Sequence, residues 1–350
     1  MRRSHFPFFA LGFATLFGAL ASPAQAGDLL LQIDNDKIVD TDRHYTNGMR
    51  IAYTPTSDAD FGNQFRETTQ FMAEAMQFKS VEDLRTGWVA GQEMYTPENV
   101  DIYVPNPKDR PYAGWTYLGL TAQSTDIKDI SAAQALNTGY DRQDTFELDV
   151  GMIGPNSKAA QLQNAVHRVI NVSVSRGWRS QIHNELGILA TRIIKLRTRQ
   201  HPLFDTNWLQ SDAIFHTTAH LGNVKTALAM GGTFRLGGNL REDFGPVYGT
   251  FALPHKAPKD RTWSAFAGFE ARGVARDIFL DGNSFRNSLD VKKNPFVFET
   301  RLGLTSHFPV KPVWGVKALR LSLNMVQRTR EFKTQDKADR YGSLQITVNF

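Results

Sequence analysis

No cysteine occurs in the 350 residues, so no disulfide can support the fold after export from the cytoplasm. Beyond the first 26 residues there is also no unbroken apolar run of the roughly 20 residues that a membrane-spanning helix requires. Mean hydropathy is −0.36, a value usual for soluble globular chains. No linker, low-complexity tract or internal repeat divides the sequence, which reads as one domain. The net charge is +5, and the basic residues lack the aromatic interleaving of nucleic-acid surfaces, so nucleic acid is not an expected partner.

The N-terminus is informative. MRRSHFPFFALGFATLFGALASPAQA joins two arginines, a short apolar core and the small-residue pattern Ala24-Gln25-Ala26. This order reads as a secretory signal peptide over 1–26, leaving 27–350 as the mature domain.

The C-terminus argues against an ordinary soluble protein. In YGSLQITVNF, Leu344, Ile346, Val348 and Phe350 alternate with Gln345, Thr347 and Asn349. Leu319, Leu321, Leu323 and Met325 likewise oppose Arg320, Ser322 and Asn324, and Phe146, Leu148, Val150 and Met152 oppose Glu147 and Asp149. A period of two is a strand with two unlike faces. In a soluble sandwich the apolar face packs inward, whereas in a membrane barrel it faces lipid and the polar face lines the lumen. The leader, the terminal phenylalanine and the polarity of so many second faces favour an all-β, transmembrane antiparallel barrel of the bacterial outer membrane.

The alternation predicts about 12 strands, near 28–34, 46–54, 87–95, 113–124, 144–153, 184–199, 212–222, 225–237, 261–275, 295–307, 317–330 and 340–350. An even number leaves both chain ends on the periplasmic side. Two segments read as helices, 63–78 and 157–172. The second is expected in an extracellular loop, with its apolar side packing into the barrel mouth. The first falls on the periplasmic side, where barrels usually have short turns.

Between the first two strands lies NDKIVDTDRHYTNG, residues 35–48, dense in carboxylates, amides and hydroxyls. Asp34 and Asp36 share the parity of Gln32, and Thr46 that of Arg50 and Thr54, so both sets are expected to face the lumen mouth. By itself this describes a solvated rim.

Several motifs in order make the reading sharper: Asn35-Asp36, DRHYTNG (42–48), GQEMYTP (91–97), DRPYAGW (109–115), GMIGPNS (151–157) and QNAVHR (163–168). In this order and spacing they resemble the outer-membrane lipid A 3'-O-deacylase family. The resemblance implies a twelve-stranded outer-membrane barrel and calcium-dependent hydrolysis of the 3'-O-linked acyloxyacyl ester of lipid A. It assigns the site to Asn35, Asp36, Thr46 and His167, with Asp36 and Asn35 toward Ca2+. Lipopolysaccharide is then the partner and a monomer the expected state. A site lysine of some family members has no clear counterpart, and Lys108 stands nearest.

The residue types suit the chemistry. Ester hydrolysis builds negative charge on the carbonyl oxygen, which a hard cation held by oxygen ligands stabilises. His167 is the general base, since imidazole titrates near neutral pH, and water is the nucleophile. Lys108, Arg110 and Arg168 are candidates to hold lipid phosphates. Asp109 and Arg110 also read as a structural ion pair, and Glu185 with Gln181 as groups that orient the helix or complete a metal shell. His44 is read as a rim or headgroup contact. His216 and His220 have the spacing of a helical metal pair but lie in a strand, where that spacing separates them. Ser157 reads as a helix cap rather than a nucleophile. A phospholipase and a passive porin remain as alternatives.

Overall fold

The structure is a computed structural model that describes residues 27–36, 44–55, 60–81, 83–104, 106–126, 140–169, 174–198, 203–204, 206, 208–240, 244–245, 260–313 and 315–350. Residues 1–26, expected to be a leader, and residues 37–43 between the first two strands lie outside the described residues. Twelve strands form one closed antiparallel barrel: β1 (Gly27–Asn35), β2 (His44–Pro55), β3 (Arg85–Thr96), β4 (Ala113–Asp126), β5 (Tyr140–Ile153), β6 (Glu185–Thr198), β7 (Gln210–Gly222), β8 (Lys225–Gly238), β9 (Thr262–Asp277), β10 (Phe296–Val313), β11 (Val316–Arg328) and β12 (Asp339–Asn349). β1 closes on β12 in a register running from Asp28 opposite Asn349 to Asn35 opposite Gly342. Closure pairs every strand, which removes the unpaired edges that lipid could not hydrate. Among the described residues no helix is long and apolar enough to cross a membrane.

Alternation decides what each face meets. Leu118, Leu221, Leu302 and Leu304 are each more than 60% exposed, in a wall that also presents Leu228, Met230, Phe269 and Leu323 outward. In water each such side chain would forfeit about 1.5–3 kcal/mol of burial; against lipid none is lost. The opposite faces carry charge. Arg50 donates twice to Glu147, at 2.9 and 2.5 Å. Arg235 does the same to Asp212, at 2.8 and 2.5 Å, and Arg197 reaches Asp141 at 2.6 Å. Glu299 accepts from Arg301 and Arg328. Pairing is required here, because a lone charge in that interior carries a penalty of several kcal/mol.

The lumen is filled rather than open. The termini mark one end of the barrel, here the proximal end, and the other is the distal end. Near the distal end a short helix, Ile278–Asp281, turns inward, with Ile278 and Phe279 at 0% and 1% exposure. Phe279 stacks on Tyr95 at 4.3 Å, Tyr45 meets Tyr341 at 5.0 Å, and Trp115 stacks on Tyr117 at 4.2 Å.

Both expected helices form. α1 (Asp60–Ala75) lies in the β2–β3 connection at the proximal end, and the strand count stands. The chain after it covers the outer wall: Lys79 N donates to Asp144 Oδ2 at 3.1 Å and Ser124 Oγ to Ser80 O at 2.6 Å. Ala122 and Phe146, outward by alternation, are thereby buried at 1% and 7% exposure. α2 (Ala159–Val169) lies in the β5–β6 connection at the distal end, after a 3-10 turn at Gly154–Ser157 with proline in its first turn.

Candidate active site on the outer wall

α2 does not enter the barrel mouth; it docks on the outside of the wall. Trp115 and Tyr117 point inward, as the hydrogen bond from Arg50 to the Tyr117 hydroxyl shows at 3.2 Å. Gly114 and Thr116 therefore point outward, in line with exposed Leu118. Thr116 Oγ1 donates to the carbonyl of Ser157 at 2.6 Å, and Gln92 Nε2 donates to the same carbonyl at 2.7 Å. A Cβ on Gly114 would lie 2.3 Å from the Ala159 Cβ and 2.4 Å from Ser157 Oγ. Only glycine lets the helix sit this close. Outward Met94 completes the seat with Tyr112, Ala159 and Trp178, while Leu162 packs at its edge.

The helix buries a face its apolar spacing did not indicate. Ala159, Gln163 and His167, four residues apart, are at 1%, 4% and 6% exposure, whereas Val166 is 39% exposed. Gln163 Oε1 accepts from the Trp178 indole at 2.6 Å, which holds the returning chain to the helix. Val166 is free to meet lipid because the whole assembly is on the lipid side.

The first hairpin supplies the neighbouring surface. Asn35 is in register with Asn47, Asn47 with Met94, and Met94 with Gly114. These four residues form one outward row across β1 to β4, with Asn35 and Asn47 at its far end from Ala159. Asp36 follows at the end of β1 and is 1% exposed. The Asn47 side-chain oxygen is buried with no hydrogen-bond partner among the described residues. Thr46 lies in β2 at the point where the register slips between Tyr45 and Asn47, and its side chain lies outside the described residues. Asp34, one step inward, is committed to the lumen, accepting from Gln32 at 2.9 Å and from Tyr45 at 3.1 Å.

Four expectations need correction. His44 is not a headgroup contact: it is 2% exposed, with Nδ1 2.7 Å from Asp339 and Nε2 3.4 Å from Asp109. The bulge after Tyr45 and a left-handed φ of 65° at His44 turn both rings inward. Arg110 is not available to a phosphate, since it is 1% exposed, donates to Glu331 at 3.1 Å and lies over the Tyr95 ring at 4.5 Å. Asp109 and Arg110 are structural, but the Arg110 guanidinium goes to Glu331, while from Arg110 the Asp109 carboxylate takes only the backbone amide, at 2.7 Å, and it faces His44. Glu185 neither orients α2 nor faces a substrate: it accepts from Asn223, Asn283 and the Ser284 amide at 2.9, 3.0 and 2.9 Å, stapling three distal connections. Gln181 bonds locally to the Trp178 carbonyl at 3.0 Å.

The remaining candidates take the following places. Ser157 Oγ donates to Gly154 O at 2.6 Å and accepts from Ala159 N at 3.4 Å, the behaviour of a cap. His216 reaches Glu270 at 3.2 Å and His220 reaches Thr191 at 3.2 Å. Among the described residues no three His, Cys, Asp or Glu side chains converge on a metal position. Lys108 and Arg168 are exposed.

Sequence reasoning missed Asn47, Gln163 and Gly114. Asn47 was accessible from hairpin parity with Asn35, and Gln163 from its place one turn before His167. Gly114 carries no signal until a helix is seated on it.

Residues 8–350 match the family model described as outer membrane protein LpxR. Among solved structures, LpxR from Salmonella typhimurium is 23% identical with a TM-score of 0.69, covering 92% of this chain and 100% of that one. The β-domain of the Bordetella autotransporter BrkA is 10% identical with a TM-score of 0.40, covering 93% and 100%. The second likeness is too weak to carry argument. Comparison with curated proteins gives no match.

Proposed function

Because the chain belongs to the LpxR outer membrane protein family, we propose that it is a calcium-dependent lipid A 3'-O-deacylase that hydrolyses the ester of the 3'-linked acyloxyacyl chain. The observation that carries this reading is the seating of α2, with buried His167, on the outer wall beside the Asn35–Asn47 row. A membrane lipid reaches such a place sideways, from the leaflet. A lumen crossed by stacked aromatics and paired charges gives it no route, and the same filling disfavours a passive porin.

Two lengths support His167 as the base. Neighbouring strands are about 4.8 Å apart, so the row from Gly114 to Asn35 spans about 14 Å. The eight residues from Ala159 to His167 span about 12 Å of helix. An α2 crossing the row from β4 toward β1 brings the imidazole to the Asn47–Asn35 end.

In the mechanism His167 takes a proton from water as the water oxygen bonds to the ester carbonyl carbon. The imidazolium then returns that proton to the sugar 3'-oxygen as the acyl C–O bond breaks, releasing a free acyloxyacyl acid. Thr46 would position the water or the carbonyl. The donor chemistry fits a hard cation: the buried carboxylate of Asp36, the amide oxygen of Asn35 next to it in the chain, and the unpartnered oxygen of Asn47, opposite Asn35 in the ladder. When bound, calcium supplies positive charge for the oxygen that becomes negative. Gln163 and Trp178 keep the base helix in place. The leader would direct export, leaving both termini periplasmic and the distal end outside, in a monomer.

The test is mass spectrometry of lipid A from cells expressing the wild type or His167→Gln. Wild type should remove the 3'-acyloxyacyl mass and the variant should not, its rate falling about 10²- to 10⁴-fold. Phospholipid cleavage with intact lipid A would instead select the phospholipase reading, and near wild-type rates in the variant would leave the histidine with a packing role only.

A further inference from the structure

Three distal loops meet along one seam, and each places an exposed lysine on it. Lys333 N donates to the Lys292 carbonyl at 2.9 Å, and the Thr334 hydroxyl donates to the Lys108 carbonyl. Lys293 and Phe332 form an antiparallel bridge, extended by Asn294 N to Glu331 O at 2.7 Å and Asn294 Nδ2 to Arg330 O at 2.8 Å. Lys108, Lys292, Lys333 and Arg330 thus lie close together, all exposed, and have no ion-pair partner among the described residues. Lys293, by contrast, is committed to Asp281 at 2.8 Å. The exposed acids in the same loops are Glu98, Asp101, Asp290 and Asp336; the amides of Glu98 and Asp101 bond to Asp109 and Asn99, away from the Lys292–Lys333 pairing.

Scattered surface lysines serve solubility, but these sit on a braced platform. Phe332 is buried with Leu280 and Val291 beneath the seam, and Glu331 is tied to Arg110. Cations held on a fixed frame lose less entropy when they engage a multivalent anion. The outer leaflet of such a membrane presents one in quantity, the phosphorylated glycolipid itself. We propose that the Lys108–Lys333–Lys292 seam, with Arg330, binds the phosphate groups of lipopolysaccharide. This rests on the reading of lipopolysaccharide as the partner, but not on hydrolysis.

The experiment measures binding of fluorescent lipopolysaccharide to the full-length protein in detergent, with the same material dephosphorylated as the second arm. Wild type should prefer the phosphorylated form by about tenfold, and that preference should fall with rising salt. Lys108→Gln/Lys292→Gln/Lys333→Gln should abolish the preference, and the corresponding triple arginine variant should retain it; the arginine variant controls for folding. Equal affinity for the dephosphorylated form, equal binding to phosphatidylglycerol vesicles, or an unchanged preference in the glutamine variant would overturn the seam. Phosphate-dependent binding without acyl release would uphold the seam and overturn the deacylase. Normal acyl release with an unchanged preference would overturn the seam alone.

Discussion

The Nδ1 of His44 on β2 lies 2.7 Å from the Oδ1 of Asp339 on β12, so the imidazole bridges two strands that flank β1. Its other nitrogen faces Asp109 at 3.4 Å, and Gln335 donates to Asp339 at 3.0 Å. One ring therefore joins the first hairpin to the loops before β4 and before β12.

Replacing His44 by alanine should leave two carboxylates without their cation. Breaking a buried pair from one side typically costs about 3–5 kcal/mol. The variant should lose its heat-modifiable gel form at a lower temperature than wild type; an unchanged transition would show that the bridge contributes nothing.

Glu331 sets an acid limit on the same region. Burial raises its pKa, but Arg328 and Arg110 beside it outweigh burial and hold it down to about 2, against an ordinary 4.5. Asp109 shifts in the same direction, its bond to His44 outweighing burial. A carboxyl depressed on folding contributes stability that is complete above its unfolded pKa and is lost as pH falls through the folded one. The distal loops should therefore loosen between about pH 4.5 and 2, as read by protease cleavage at the loops. Glu331→Gln should be weaker at neutral pH and should flatten that acid dependence.

Gly114→Val tests the seating of α2. A Cβ there meets Ala159 and Ser157 at under 2.5 Å, so the helix must lift while β4 keeps its ladder. The barrel should still show heat-modifiable migration, and deacylation should fall at least tenfold. Full activity would mean that the helix position does not govern the site.

Asp36→Asn tests the metal. Calcium titration calorimetry should show binding to wild type and at least tenfold weaker binding to the variant, and chelator should abolish acyl release by wild type. Activity that persists in excess chelator would remove calcium from the proposal.

The strands were legible in the sequence because alternation is local: Leu319, Leu321 and Leu323 against Arg320 and Ser322 declare two faces without reference to any other segment. The twelve expected spans overlap the twelve observed strands, differing only in how far the ends extend. The same alternation puts Asp34 toward the lumen, where it lies, whereas Asn35 and Asp36 are singled out only by the family resemblance. What a loop does after it leaves a strand is decided by distant residues. α2 goes to the outer wall because Gly114 lacks a side chain and because Gln92 and Thr116 point outward to receive the Ser157 carbonyl. His44 and its neighbour Tyr45 both turn inward because a bulge and one left-handed residue break the alternation between them, and because Asp339, 295 residues from His44, waits there. Arg110 and Glu185 are assigned other partners by sequence alone, because only closure of the barrel brings Glu331, Asn223 and Asn283 against them. A period of two belongs to each strand alone, whereas a side chain's partner depends on which strands the closed ring makes neighbours.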